Sequence, residues 1–89
     1  MSLNTDWRLK VRDKVYKEIS KFQENDSGRI LKAIENLPLD PYSGDIEKMK
    51  GDARTWRKRI GNYRIFYEII PEDGVIYVFH AERRTSKTY

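Results

Sequence analysis

The sequence contains no cysteine, which excludes disulfide bonds, thiolate metal sites and cysteine nucleophiles together. It has one histidine and five glycines. No grouping of histidine and acidic residues has the spacing of a metal site, and no glycine-rich phosphate loop is present. We therefore expect neither a metal nor a small-molecule cofactor.

Long hydrophobic runs are also missing. The longest apolar stretches lie in Tyr63–Ile70 and Val75–Phe79 and are much shorter than a membrane-spanning helix. The start, Met1–Asn4, lacks the apolar core of a signal peptide. We expect a cytoplasmic chain with no membrane association, folded as a single domain over residues 1–89.

Positive charge is abundant in one region of the chain. The net charge is +4 and the pI is about 9.4. Between residues 48 and 64 one acid, Asp52, accompanies seven basic residues: Lys48, Lys50, Arg54, Arg57, Lys58, Arg59 and Arg64. Acids concentrate elsewhere, in 24–26 and 45–47. Such a cationic stretch suits phosphate contacts, although a solvated charged surface is the alternative.

The N-terminal half predicts a strand followed by two helices. Trp7–Val11 alternates apolar and basic residues, which is typical of a half-buried strand. Apolar residues at helical spacing predict a helix over 12–22, and Asp26 or Ser27 is expected to cap a second helix. The apolar stripe of that helix is formed by Ile30, Leu31, Ile34 and Leu37. Prolines and a glycine predict a loop over 38–47.

The C-terminal half changes to a period of two residues. Trp56–Ile60 and Tyr63–Ile70 are expected strands around a Gly61-Asn62 turn, and Val75–His80 is a third strand. Residues 81–89 show no apolar pattern. The sequence therefore predicts an α+β fold: an N-terminal strand, a two-helix hairpin and a three-stranded antiparallel meander, in one antiparallel sheet with both helices on one face.

The register of this hairpin gathers three arginines on one face. A two-residue turn places Arg59 opposite Arg64 and Arg57 opposite Phe66. Opposed like charges destabilise a sheet, so we expect this face to need a bound anion, and the arginine fork suits phosphate. The aromatic residues on this face either stack RNA bases or form a second small core. Parity places the single histidine, His80, on the core side in a structural role.

At this hairpin the sequence resembles the RelE/ParE superfamily of toxins from type II toxin–antitoxin systems. The resemblance rests on the pattern W-R-x-R-x-G-x-Y-R-x-x-Y over 56–67, a strand at Val75–His80, and a tail in which Arg83 precedes Tyr89 by six residues. It covers nearly the whole chain in element order, whereas the helices match only in pattern.

The resemblance implies a toxin that cleaves messenger RNA on the ribosome without a metal, by attack of a 2′-hydroxyl on the neighbouring phosphate. It assigns the catalytic work to Arg57, Arg59, Arg64, Arg83 and Tyr89. Arg57 and Arg59 would hold the phosphate, Arg64 would stabilise transition-state charge, Arg83 would act near the leaving group, and Tyr89 would orient a base. Further RNA contacts are expected from Lys48, Lys50, Phe66, Arg84 and Lys87.

One departure bears on the chemistry. RelE members typically carry lysines where this chain has Arg57 and Arg59. Arginine stays protonated in proteins and is a poor general base. Three functions therefore remain open: a ribosome-dependent endoribonuclease, a ParE-like poison of DNA gyrase, and a non-catalytic binder of nucleic acid or antitoxin. The expected partners are a cognate antitoxin, the ribosome and messenger RNA.

Overall fold

The computed structural model describes residues 7–51 and 53–84. The strands of this part of the chain are β1 (Arg8–Val11), β2 (Ile46–Lys48), β3 (Thr55–Ile60), β4 (Tyr63–Ile70) and β5 (Val75–Arg83). The helices are α1 (Asp13–Ile19) and α2 (Glu24–Asn36), and a short 3₁₀ turn, Leu37–Leu39, follows α2 directly.

The strands form a mixed sheet in the order β1-β5-β4-β3-β2. The antiparallel meander of β3, β4 and β5 is confirmed, and its neighbour β2 is antiparallel to β3. The expectation of a purely antiparallel sheet was wrong, because β1 runs parallel to β5. Alternation within a strand predicts its faces but not the direction of a partner that is distant in sequence.

Strand β2 lies inside the segment that we predicted as a loop. It has three residues, of which Ile46 is the only apolar one, so no alternating pattern announces it. The prolines and the glycine that indicate a loop all precede β2. The last of them is Gly44, where φ is +88°. The structure therefore adds an edge strand to the predicted architecture.

The helices begin and end elsewhere than predicted. Helix α1 ends at Ile19, and α2 begins at Glu24 after Gln23, whose side chain makes no capping hydrogen bond. Neither Asp26 nor Ser27 is the cap. Instead the Ser27 hydroxyl donates to the Ile19 carbonyl at 3.0 Å, which ties the start of α2 to the end of α1.

The core lies between the helices and one face of the sheet. Its buried members from the helical layer are Val15, Ile19, Ile30, Ile34 and Leu37, and those from the sheet are Tyr63, Ile65, Tyr67, Ile69, Ile76, Val78 and Ala81. Burial raises the pKa of Tyr67 to about 12, and its hydroxyl donates to the Pro41 carbonyl at 3.0 Å. No helix among the described residues is long and apolar enough to cross a membrane.

A β-bulge changes the faces of β5 halfway along its length. Tyr67 lies opposite Val78, whereas the preceding Phe66 lies opposite His80, so Phe79 is an extra residue in β5. Placing His80 on the core side was therefore wrong, because the inserted residue reverses the alternation beyond it. Ala81 takes the core position instead and is 2% exposed.

Candidate nucleic-acid interface

The face of the sheet opposite the helices, called the open face below, carries the predicted arginines. The register of β3 and β4 is as predicted, with Arg59 opposite Arg64 and Arg57 opposite Phe66. Strand β4 alternates between buried and half-buried residues along its whole length. Its half-buried residues therefore belong to the open face, and Arg64 and Phe66 are among them.

Each of these three arginines is bound to a carboxylate of the same chain. Arg57 contacts Glu47 of β2, Arg59 Nε lies 3.1 Å from Asp45 Oδ2, and Arg64 Nη1 lies 3.4 Å from Glu82 Oε2. The expectation that the opposed arginines require a bound anion was thus wrong for the free protein. Two of these acids, Asp45 and Glu47, come from the segment that contains β2, and the third, Glu82, comes from the end of β5.

Arg64 keeps one donor without a partner. Its Nε is buried and, within the described residues, has no hydrogen-bond partner, while its side chain is 28% exposed. An unpaired buried N–H costs about 1–3 kcal/mol. Because this Nε is shut off from solvent, an anion on the open face would meet only the exposed part of the Arg64 side chain.

Aromatic rings form a row beside the arginines. Ring centroids are 6.3 Å apart for Tyr77 and Phe79, 6.4 Å for Phe79 and Phe66, and 5.4 Å for Phe66 and His80. All four side chains are only partly buried. Such a row offers ring faces to unpaired bases, and it also covers the sheet where no helix does.

The row leads toward a cavity at the opposite end of the open face. The cavity has a volume of about 540 Å³, and its lining consists of Arg8, Lys10, Ile70, Asp73, Val75 and Tyr77. Both cations are exposed residues of β1. The open face thus has ion-paired arginines at one end and solvent-exposed cations at the other.

His80 lies in a network that connects α1 to Arg64. Its Nδ1 is 3.0 Å from Glu18 Oε2 and its Nε2 is 3.1 Å from Glu82 Oε1. Glu18 also accepts the Ala81 N–H at 2.9 Å. Burial alone would raise the pKa of Glu18, but the Ala81 N–H, Lys14 and His80 outweigh it and hold that pKa below its ordinary value. The sequence pattern missed this network because the bulge is not visible in it.

The remaining predicted site residues are not gathered with the arginines. Lys48 lies opposite Trp56, which packs against the core, so Lys48 is on the helix-facing side. Lys50 is exposed in the turn after β2. Arg83 lies opposite Tyr63, a core residue, and Arg84 is exposed after β5. Lys87 and Tyr89 lie outside the described residues.

Among the described residues no three histidine or acidic side chains converge in a way that could hold a metal ion. The groups on the open face that can contact a ligand are therefore guanidinium groups, aromatic rings, the His80 imidazole and the carboxylates that pair with the cations. Groups of these kinds can bind a phosphate by charge and hydrogen bonds, and a base by stacking.

Solved structures with this arrangement of helices and strands are RelE-like toxins. Over 92% of this chain and 99% of the other, the fold matches the toxin of the archaeal RelE–RelB complex from Pyrococcus horikoshii OT3, with a TM-score of 0.78 at 24% identity. The isolated E. coli RelE toxin gives a TM-score of 0.75 at 18% identity, over 91% of this chain and 87% of that one. The fold defined by these elements is thus the RelE-like α+β fold.

The family assignment follows from the sequence comparison. The model of the ParE toxin of the type II toxin–antitoxin system, parDE, matches residues 6–85. A putative toxin RelE1 of Methanocaldococcus jannaschii is 25% identical over 81 residues, which are 88% of this chain and 90% of the relative. The chain belongs to the RelE/ParE superfamily of toxins of type II toxin–antitoxin systems.

Proposed function

We propose that this toxin is a metal-independent endoribonuclease that cleaves messenger RNA on the ribosome and so inhibits translation. The observation that carries the proposal is the hairpin register, which gathers Arg57, Arg59 and Arg64 with Phe66 on the face of the sheet that the helices leave open. Family membership identifies the chain as a toxin of a toxin–antitoxin system, and the residues of this face are the groups proposed to act on RNA.

The reaction needs charge stabilisation at one phosphate. The 2′-oxygen gives its proton to solvent and bonds to phosphorus, the bond from phosphorus to the 5′-oxygen breaks, and that oxygen takes up a proton; meanwhile negative charge builds on the phosphorane oxygens, and preorganised cations lower that barrier. Arg64 is suited to this task because its side chain is 28% exposed and its contact with Glu82 is long, at 3.4 Å. Arg57 and Arg59 would hold the flanking backbone after leaving Glu47 and Asp45. In this proposal Tyr89 orients a base, whereas Arg83, which lies opposite Tyr63 and away from the open-face arginines, takes no part at the phosphate.

The test is cleavage of a translated message in a purified translation system, read by primer extension. We expect cuts within the reading frame, and about 10²- to 10³-fold slower cutting by Arg64→Ala. Arg29→Ala is the matched control, because Arg29 is also ion-paired, to Asp26 at 3.8 Å, but lies on α2. Loss of cutting in both variants, or in neither, would contradict the assignment of Arg64.

A second candidate is a ParE-like poison of DNA gyrase, which the match to the ParE family model favours. The same translation experiment separates the two functions. A gyrase poison leaves messages intact and instead produces gyrase-dependent DNA breaks in arrested cells. That outcome would assign the open face to another role.

The proposed partner in the cell is a cognate antitoxin. Homologues have been crystallised in complex with their RelB proteins, including those of Pyrococcus horikoshii and E. coli. We propose that an acidic antitoxin segment covers the cationic face and so silences the toxin, in coupled folding and binding. Co-expression with the product of the adjacent reading frame should restore growth and yield a stable complex.

A further inference from the structure

We propose that His80 and Arg64 jointly bind the phosphate at the reaction centre, and that Glu82 occupies the phosphate position in the free protein. The inference deepens the proposed function and rests on it in taking RNA as the source of the phosphate. The geometry that supports it is one carboxylate shared by two donors. Glu82 Oε1 lies 3.1 Å from His80 Nε2, and Glu82 Oε2 lies 3.4 Å from Arg64 Nη1.

A carboxylate held in this way resembles a bound phosphodiester. Both groups carry one negative charge and present two oxygens that accept hydrogen bonds, and both suit a planar arginine fork. Two donors that bind the two oxygens of Glu82 can therefore bind two non-bridging oxygens of a phosphate. Glu82 is displaceable, because its side chain is 37% exposed and its contact with Arg64 is long for a hydrogen bond.

His80 has charged partners at both ring nitrogens. Lys14 and Glu18 of α1 lie 3.3 Å and 3.0 Å from Nδ1, and Glu82 of its own strand lies 3.1 Å from Nε2. Phe66 of β4 packs against the ring, and Glu82 also contacts Arg64 of β4. A protonated ring donates to both Glu18 and Glu82, whereas a ring protonated only at Nε2 donates to Glu82 and accepts from Lys14 at Nδ1.

This arrangement predicts how RNA binding depends on pH in the parent and in a Glu82 variant. Histidine changes its charge between pH 5 and 8, whereas arginine does not. In the parent the phosphate replaces a carboxylate of the same charge, so RNA affinity should change little between pH 6 and pH 8. In Glu82→Gln the phosphate brings His80 a close opposite charge that the free protein lacks there, which changes proton affinity by about one pH unit or more, so this variant should bind RNA about fivefold more tightly at pH 6 than at pH 8. His80 is the only histidine of the chain, so other side chains contribute little in this range.

The experiment measures fluorescence anisotropy of a labelled single-stranded 2′-O-methyl RNA, which cannot be cleaved, from pH 5.5 to 8.5 with the full-length toxin. We expect Glu82→Gln to bind more tightly than the parent at every pH, because the competing carboxylate is gone, and most tightly at low pH. We expect His80→Gln, introduced together with Glu82→Gln, to remove that pH dependence. Glu35→Gln, which removes the same charge from an exposed position of α2, should behave like the parent.

Two outcomes would overturn the inference while leaving the proposed function intact. One is a pH dependence of Glu82→Gln that survives the further change His80→Gln. The other is a Glu82→Gln variant that binds RNA no more tightly at pH 6 than at pH 8. A toxin that binds no free RNA at any pH contradicts this inference as well, whereas the proposed function is decided separately by cleavage in the translation system.

A second measurement does not depend on the variants folding. The ring protons of the single histidine can be followed by NMR in the parent toxin across the same pH range. If His80 contacts the phosphate, adding the 2′-O-methyl RNA should shift the resonances of these ring protons, because the partner of Nε2 changes from Glu82 to the phosphate. Resonances that stay in place with saturating RNA contradict direct contact.

Discussion

The two faces of the sheet differ in burial and in charge, although adjacent residues of the same strands form them. On the helix-facing side β4 contributes Tyr63, Ile65, Tyr67 and Ile69, each at most 3% exposed. On the open side the neighbouring residues are half-buried, and the cations there are balanced by carboxylates. One face therefore holds the fold together, and the other has contacts that a ligand can exchange.

The largest expected effect comes from truncating neighbours on the two faces. Ile65 is fully buried, so Ile65→Ala should reduce the free energy of unfolding by about 2–5 kcal/mol through lost contacts and a cavity. Phe66→Ala, one residue further on, should cost less because its side chain is only partly buried, and should weaken RNA binding. Urea unfolding and RNA titration of both variants test this.

Equal destabilisation by Ile65→Ala and Phe66→Ala would mean that the aromatic row is a second core. RNA binding that is unaffected by Phe66→Ala would support the same conclusion. The two faces of β4 would then contribute alike to stability, and the proposed RNA interface would be limited to the charged residues.

Sequence-based prediction succeeded where burial imposes alternation along a strand, and it failed at an inserted residue and at pairings between distant segments. Alternation in β3 and β4 predicted which residues meet the helices, because burial on one face imposes a period of two. The extra residue Phe79 is invisible in such a pattern, so His80 and Ala81 were assigned to the wrong faces. The parallel pairing of β1 with β5 and the short strand β2 depend on contacts between distant segments, which local periodicity does not encode.

Glu18 lies where the two faces meet, and its substitution should have the next largest effect. Glu18→Gln removes a charge from the acceptor of the Ala81 N–H and from the partner of His80. We expect a loss of about 1–3 kcal/mol in the free energy of unfolding, measured in urea at pH 7.

The pH dependence of that loss has a defined sign. The pKa of Glu18 is lowered in the folded protein, so its contribution is present above the unfolded value and disappears as the pH falls through the folded one. The parent and Glu18→Gln should therefore converge in stability as the pH falls below the ordinary glutamate pKa of about 4.3. A difference that remains constant from pH 7 to pH 3 would contradict this origin.

The charge of the candidate site was harder to predict from the sequence than the face on which its arginines lie. The sequence correctly indicated three arginines on one face but treated the acids at 45–47 as belonging elsewhere. The structure pairs Asp45 and Glu47 with Arg59 and Arg57, because β2 returns along β3. Charge counted along a sequence window overstates the positive potential of a surface whenever an adjacent strand supplies the opposite charge.

A smaller effect is expected at the buried hydroxyl of Tyr67. Tyr67→Phe removes the hydrogen bond to the Pro41 carbonyl and should lower the free energy of unfolding by about 1 kcal/mol. Because burial raises the pKa of Tyr67 to about 12, its neutral form stabilises the fold below the unfolded value of about 10, and this contribution falls as the pH rises toward 12. Unfolding curves at pH 7 and pH 11 should show the parent losing more stability than the variant, with RNA binding at pH 7 unchanged.

The smallest effect on stability should accompany a gain of binding on the open face. Glu47 is 67% exposed, and exposed ion pairs of this kind contribute about 0–1 kcal/mol. Glu47→Gln should therefore leave the unfolding midpoint nearly unchanged while it releases Arg57 to a phosphate and tightens RNA binding. Each additional phosphate contact steepens the dependence of affinity on salt, so a titration at several salt concentrations distinguishes a new contact from a general change in charge. Glu35→Gln has the same net charge and should bind RNA like the parent, without the steeper slope. If both variants bind alike, the carboxylates of β2 do not compete with RNA, and the open face is already accessible in the free toxin.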